Sequence, residues 1–232
     1  DVIMGAALQQ GTTGGNIGRL AALAGGLPAT VSGMSIDRQC SSGMMAIATA
    51  AKQIQSDGMD VVIGGGVESI SLVQNEHMNT HRMVDKALVA KHPASYMPML
   101  QTAEIVAKRY GISRERQDEY GYQSQMRTAA AQAAGKFDDE IIETTTSMGV
   151  MDRETKEISD VEVRLENDEG LRASTSIDSL AGLQPVFADG LSIQQGKYIT
   201  AGNASQLSDG AAALVMMSEK MAASKGLEPL GV

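Results

Sequence analysis

Short apolar runs, closed by glycines or polar residues and separated by helix-length segments, restrict this chain to a layered α/β fold. "DVIMGAAL" reads as a strand and is stopped by Gly11-Thr12-Thr13-Gly14-Gly15. "NIGRLAALAGG" follows with apolar residues at helical spacing and ends at Gly25-Gly26. "ATVSGMSID" is a second strand, residues 41–57 a helix stopped by Gly58, and "MDVVIGGGVES" a β-branched third strand. Strands alternating with helices over short connections define α/β layers. Aromatic residues are only 3% of the chain and Trp is absent, so Ala, Gly, Met, Ile and Val must fill the core; small side chains suit close helix-on-sheet packing.

The texture changes near Ser71. Residues 74–100 are polar and irregular and hold all three histidines, His77, His81 and His92. Two helices follow, Met99–Tyr110 and Ser113–Ala134, then a charged, mixed stretch over 136–174 that reads as surface strands and turns. "GAAALVMMSEK" returns to a buried strand. The pattern predicts one sheet built from 1–8, 31–36, 60–66 and 210–218, interrupted by a long excursion. Both ends fall in strand-like runs, so the chain reads as a fragment.

A net charge of -9 argues against a nucleic-acid partner, which requires clustered Lys and Arg. No apolar run reaches the length that spans a bilayer. One cysteine excludes an internal disulfide and gives no sign of an oxidising compartment; a cytoplasmic setting is expected. The histidines have no regular metal-ligand spacing, so no metal site is expected.

That single cysteine, Cys40, lies in "DRQCSSGMMAIATAAKQI", between a strand and an Ala- and Met-rich helix. Unpaired N–H groups and the helix dipole favour a thiolate at such a position and can stabilise an oxyanion on a carbonyl under attack. A lone cysteine also commonly packs as a small hydrophobe. Position alone leaves both roles open. The helix behind Cys40 is apolar nearly all round, which predicts burial on most of its sides.

Four separated segments carry a resemblance. "RQCSSGMMAIATAAKQI" with "DVVIGGGVESIS" resembles the nucleophile segment of the thiolases, and "TAGNASQLSDGAAALVMMSE" a second thiolase signature. "TAEIVAKRYGISRERQDEYGYQSQ" and "DEGLRASTSIDSLAGLQPVF" are similar to the thiolase loop domain. The resemblance implies an N-terminal half with a mixed sheet, helices on both faces and an inserted loop domain: 1–70 plus 207–226 as core, 71–206 as loop domain, and 227–232 as the start of a C-terminal domain.

It also implies an acyl-CoA acyltransferase that cleaves 3-ketoacyl-CoA with CoA, or runs the reverse Claisen condensation, through an acyl-Cys40 intermediate. CoA and acyl-CoA are then substrates, with no permanently bound cofactor. Ser205, with Ala201 and Gly202, would contact the pantetheine of CoA; Arg172 would lie near its adenine nucleotide, and Met99 would border the site. The Pro98-Met99 pair resembles the degradative branch and points to acyl chains beyond acetoacetyl-CoA. Leu100 stands where the family usually has Gly, and Asp37 where it usually has Asn. The family's base His, second Cys and water-holding Asn belong to a second half, so the chain alone is expected to be inactive. The family further implies a homodimer or homotetramer, with the strand before Cys40 near the contact. A ketoacyl-synthase-like condensing enzyme and a non-catalytic acyl-CoA binding or assembly module are the alternatives.

Overall fold

The computed structural model describes residues 1–190 and 192–232. It divides into two compact units, Asp1–Met83 with Leu207–Val232, and Val84–Gln206.

In the first unit, β1 (Val2–Gly5), α1 (Ile17–Ala24), β2 (Gly33–Ile36), α2 (Ser42–Ser56) and β3 (Val61–Glu68) alternate along the chain. β1 is hydrogen-bonded in parallel to both β2 and β3. The strand Gly210–Met217 pairs antiparallel with β3, so all four expected segments share one mixed sheet. β1 is buried throughout, which explains its unbroken apolar run: a strand covered on both faces has no polar side to alternate with. Ile3 packs with Val62 against Ala46 and Ala50 of α2. Val2 and Met4 point the other way, onto Ala22 of α1.

The first unit runs on past Ser71 as far as Met83. A short helix α3 (Ile70–Val73) packs on the 3-10 turn Gly11–Thr13, and Val73 is buried. Asp209 holds the start of α3 by accepting from the Ser71 N–H at 2.9 Å and from the Ser71 hydroxyl. These bonds, the hydroxyl's first, keep the Asp209 carboxyl below its ordinary range. Residues 71–83 therefore stay with the sheet. So does the segment after residue 226, beyond α8 (Glu219–Ser224): the Leu227 N–H bonds the Ala222 carbonyl at 3.0 Å.

The second unit contains α4 (Lys86–Lys91), α5 (Met99–Tyr110), α6 (Arg114–Ala133), a hairpin of β4 (Thr144–Met151) and β5 (Ile158–Leu165), and α7 (Ile177–Ala181). The strand Gly210–Met217 is thus β6 in chain order. Ser113 caps α6 by accepting from the Arg116 N–H. Within 74–100, expected to be irregular, α4 forms because Asp85 accepts from the Ala87 and Leu88 N–H groups. Buried polar side chains brace this unit. Glu104 of α5, only 2% exposed, accepts from the N–H groups of Lys197, Tyr198 and Ile199 at 2.8–3.3 Å. Asp118 of α6, 3% exposed, is paired with Arg114, whose Nε donates to both carboxylate oxygens at 3.0 and 2.8 Å.

Candidate active site

Cys40 lies in the turn between β2 and α2, and it is exposed. The turn is held by Ser42, which is 4% exposed. Its hydroxyl donates to the Gln39 carbonyl at 2.6 Å and accepts from the Arg38 N–H at 2.8 Å. Gln39 has φ 51, a left-handed conformation that side chains other than Gly adopt at a cost. Ser41 and Ser42 bond back to the Arg38 and Gln39 carbonyls through their N–H groups. The chain so reverses tightly, and Cys40 precedes the first turn of α2.

Glycines set the height of that helix mouth over the sheet. A Cβ on Gly5 would lie 2.2 Å from the Ser42 carbonyl carbon and 2.6 Å from the Gly43 nitrogen. A Cβ on Gly66 would meet the Gly43 Cα at 3.2 Å. The carboxyl ends of β1 and β3 are therefore in backbone contact with the start of α2, the end of the strands where α/β proteins place their ligands. Sequence reading did not single out Gly5 and Gly66; their position at the ends of strands aimed at one helix start was the available signal.

α2 itself departs from expectation. Only the stripe of Ser42, Ala46 and Ala50 is fully buried, and Met44 is 74% exposed. The sheet lies against one side of the helix, so an all-round apolar sequence does not become an all-round buried helix within this unit.

The other predicted site residues all lie in the second unit. Ala201, Gly202 and Ser205 occupy the turn 200–206, with Ala201 and Ser205 exposed. Gly202 fits because a Cβ there would lie 2.4 Å from Leu180 Cδ2 and 2.6 Å from Leu183 Cδ1. Arg172 sits on a neighbouring loop. Its N–H donates to Gln125 Oε1 of α6 at 2.8 Å, and Gln206 Nε2 donates to the Gly170 carbonyl at 2.8 Å. Those bonds tie the Arg172 loop to the Ser205 turn and leave the Arg172 side chain exposed. Met99 opens α5 and is 75% exposed, with no hydrogen bond to that turn.

His77, His81 and His92 are exposed, and among the described residues of the first unit neither His77 nor His81 is hydrogen-bonded to Cys40. Among the described residues no group of three or more His, Cys, Asp or Glu is placed to hold a metal ion. Nor is any helix among them long and apolar enough to cross a membrane.

The fold and the turn around Cys40 define an α/β protein that presents an accessible thiol at the carboxyl ends of its parallel strands. The family model described as "Thiolase, N-terminal domain" matches residues 1–220, and the chain belongs to the thiolase family. It is 40% identical over 231 residues to a 3-ketoacyl-CoA thiolase of Bacillus subtilis (strain 168), a match covering 99% of this chain and 56% of that protein. A peroxisomal 3-ketoacyl-CoA thiolase 2 of Arabidopsis thaliana is 39% identical, with 100% of this chain and 48% of that protein covered. Among solved structures, the Bacillus anthracis acetyl-CoA acetyltransferase superposes with a TM-score of 0.75 at 39% identity, covering 99% of this chain and 56% of that one. The chain spans about half the length of these relatives.

Proposed function

We propose that the polypeptide carrying this chain transfers acyl groups between CoA thioesters, with Cys40 as the acyl-accepting nucleophile. The observation that carries this reading is the exposed Cys40 thiol at the mouth of α2, within a thiolase-family match over residues 1–220. In the cleavage direction Cys40 Sγ attacks the 3-keto carbonyl of a 3-ketoacyl-CoA. The bond between C2 and C3 breaks, the acyl group stays on sulfur, and acetyl-CoA leaves after its C2 takes a proton. The thiol of a second CoA then attacks the thioester, releases the shortened acyl-CoA and returns the proton to Cys40. N–H groups at the start of α2 suit stabilisation of the oxyanion formed in both attacks. No general base is assigned among these residues.

The second unit would hold CoA, with Ser205, Ala201 and Gly202 toward pantetheine and Arg172 toward the nucleotide. Pro98-Met99 favours substrates longer than acetoacetyl-CoA. Assembly into a homodimer or homotetramer and a cytoplasmic setting complete the proposal; sedimentation tests the first. The name of the Arabidopsis relative carries a peroxisomal label.

The deciding experiment measures CoA-dependent cleavage of acetoacetyl-CoA and of a longer 3-ketoacyl-CoA, for the polypeptide carrying this chain and its Cys40→Ser variant. Loss of turnover by roughly a thousandfold or more is expected, since a hydroxyl is scarcely ionised at neutral pH. Turnover that survives the substitution would remove Cys40 from the mechanism.

A further inference from the structure

The turn 200–206 presents exposed Ala201 and Ser205 without belonging to a helix or a strand. Something must hold its shape. Asn203 is the residue placed to do so, and its amide makes three hydrogen bonds: Oδ1 accepts from the Thr200 N–H at 2.8 Å, and Nδ2 donates to the Tyr198 carbonyl and to Asp118 Oδ1, both at 2.9 Å. Thr200, wholly buried, accepts from the Gly202 N–H at 3.2 Å through its hydroxyl and from the Ala204 N–H at 3.0 Å through its carbonyl. Asn203 thus supplies one half of a capping box on an isolated turn, by accepting from the Thr200 N–H, while the Thr200 hydroxyl takes the N–H of Gly202.

The anchor beneath is rigid. Asp118 is buried and held by Arg114, which itself donates from Nη2 to the Leu180 and Leu183 carbonyls at 2.6 and 3.0 Å. Leu180 and Leu183 are the side chains against which Gly202 packs. One buried ion pair therefore fixes the turn from below through Asn203 and from the side through the segment carrying those leucines. A buried carboxylate with a cation and an amide on it gives a single register, whereas a surface turn without such an anchor samples many.

We propose that Asn203, seated on the Asp118–Arg114 pair, is a positioning residue that pre-forms the 201–205 turn for the pantetheine of CoA. It touches no ligand itself. The proposal rests on the reading that this turn contacts CoA. Pre-formation removes the ordering cost from binding, so loss of the amide weakens CoA more than it unfolds the chain.

The test is calorimetric titration of the full chain with CoA, alongside circular dichroism and thermal unfolding. Four forms are compared: wild type, Asn203→Ala, Asn203→Asp, and Asp152→Ala. Asp152→Ala removes the cap of the β4–β5 turn, away from Asn203, and reports what a general loss of stability does. Asn203→Ala is expected to bind about tenfold more weakly or worse while still folded, and Asp152→Ala to bind like wild type. Asn203→Asp keeps the acceptor for Thr200 but turns a second carboxylate on Asp118. Around that position stand Asp118 and Arg114 from α6, and the Tyr198 carbonyl and Thr200 N–H from its own segment. Its CoA affinity should match that of Asn203→Ala at about pH 8 and exceed it at about pH 5.5, where the introduced carboxyl takes a proton and can donate. CoA's own ionisation cancels in that ratio.

Wild-type binding in both Asn203 variants overturns the positioning role and leaves the CoA reading standing. An equal loss in Asp152→Ala overturns it as well, because stability alone would then explain the effect. No CoA binding by the wild-type chain refutes the CoA reading of the turn, and the positioning role falls with it. If Asn203→Ala does not fold, Asn203→Asp decides against wild type: unchanged affinity at pH 8 overturns the proposal.

Discussion

Gly5→Ala is the sharpest perturbation of the site that leaves every site residue in place. The added methyl carbon would stand 2.2 Å from the Ser42 carbonyl carbon and 2.4 Å from its oxygen. That is more than an ångström inside the separation at which carbon contacts become favourable. The three nearest atoms it meets belong to the backbone, so no rotamer change relieves the clash; either α2 lifts at its start or β1 shifts in the sheet centre. Overpacking of this kind costs about 1–3 kcal/mol, and a contact with backbone on the far side belongs at the upper end. At about 2–4 °C per kcal/mol for a chain of this size, the midpoint of thermal unfolding should fall by roughly 10 °C. A lift of one ångström at Cys40 would also cost about a hundredfold in acyl transfer. Gly58→Ala is the matched control: Gly58 has φ +73 and open space around its Cβ position, so only backbone strain is added there, about 1 kcal/mol. Unfolding followed by circular dichroism compares the two. If Gly5→Ala costs no more than Gly58→Ala, the helix mouth is not set by backbone contact and the reasoning is wrong.

Four further outcomes are expected. Asp209 has its carboxyl pKa depressed in the folded chain, so its stabilisation is complete above the unfolded value near 3.8 and is lost as pH falls through the folded value. Acid unfolding from about pH 5 to pH 2 should therefore be shallower in Asp209→Asn, and an identical acid limb would contradict the capping of α3. Glu104→Ala should cost about 3 kcal/mol or more by leaving three backbone N–H groups without their buried acceptor, read as a drop in the urea midpoint. Gln39→Gly should stabilise by about 0.5–1 kcal/mol because Gln39 sits at φ 51, and a loss of stability would mean that its side chain matters more than its backbone. In the native chain Cys40, being exposed, should be alkylated by iodoacetamide without prior unfolding, as mass spectrometry would report; protection of the thiol would contradict its placement.

The sheet was readable from sequence because β1 and β3 are covered by helices and so appear as unbroken apolar runs. α6 was readable because Ser113 supplies a local cap and the helix runs for 20 residues. What escaped had no local signature of comparable strength. α4 is six residues long, too short for a helical period to register, and only the Asp85 cap announced it. The contact that holds α3 has no local signature either, because Asp209 lies 138 positions away and nothing near Ser71 encodes that partner.

The candidate site divides along the same line. Cys40 was legible because a strand, one cysteine and an apolar helix are adjacent in sequence. The groups that shape its surroundings act across the chain: Gly5 and Gly66 come from two different strands, yet both meet the first turn of α2. Glu104 and Asp118 were harder still. A carboxylate within a helix reads as a solvated face, and the burial of these two follows from acceptors matched to N–H and amide donors 85 to 95 positions further on. Their cost of desolvation is offset only when those donors arrive, so their burial belongs to the assembled second unit and to no segment of it. The exposed residues Ser205 and Arg172 are the converse: Gln125 of α6 accepts from the Arg172 N–H, and Asn203 bonds the backbone at Thr200 and Tyr198, where the segment that ends at Ser205 begins.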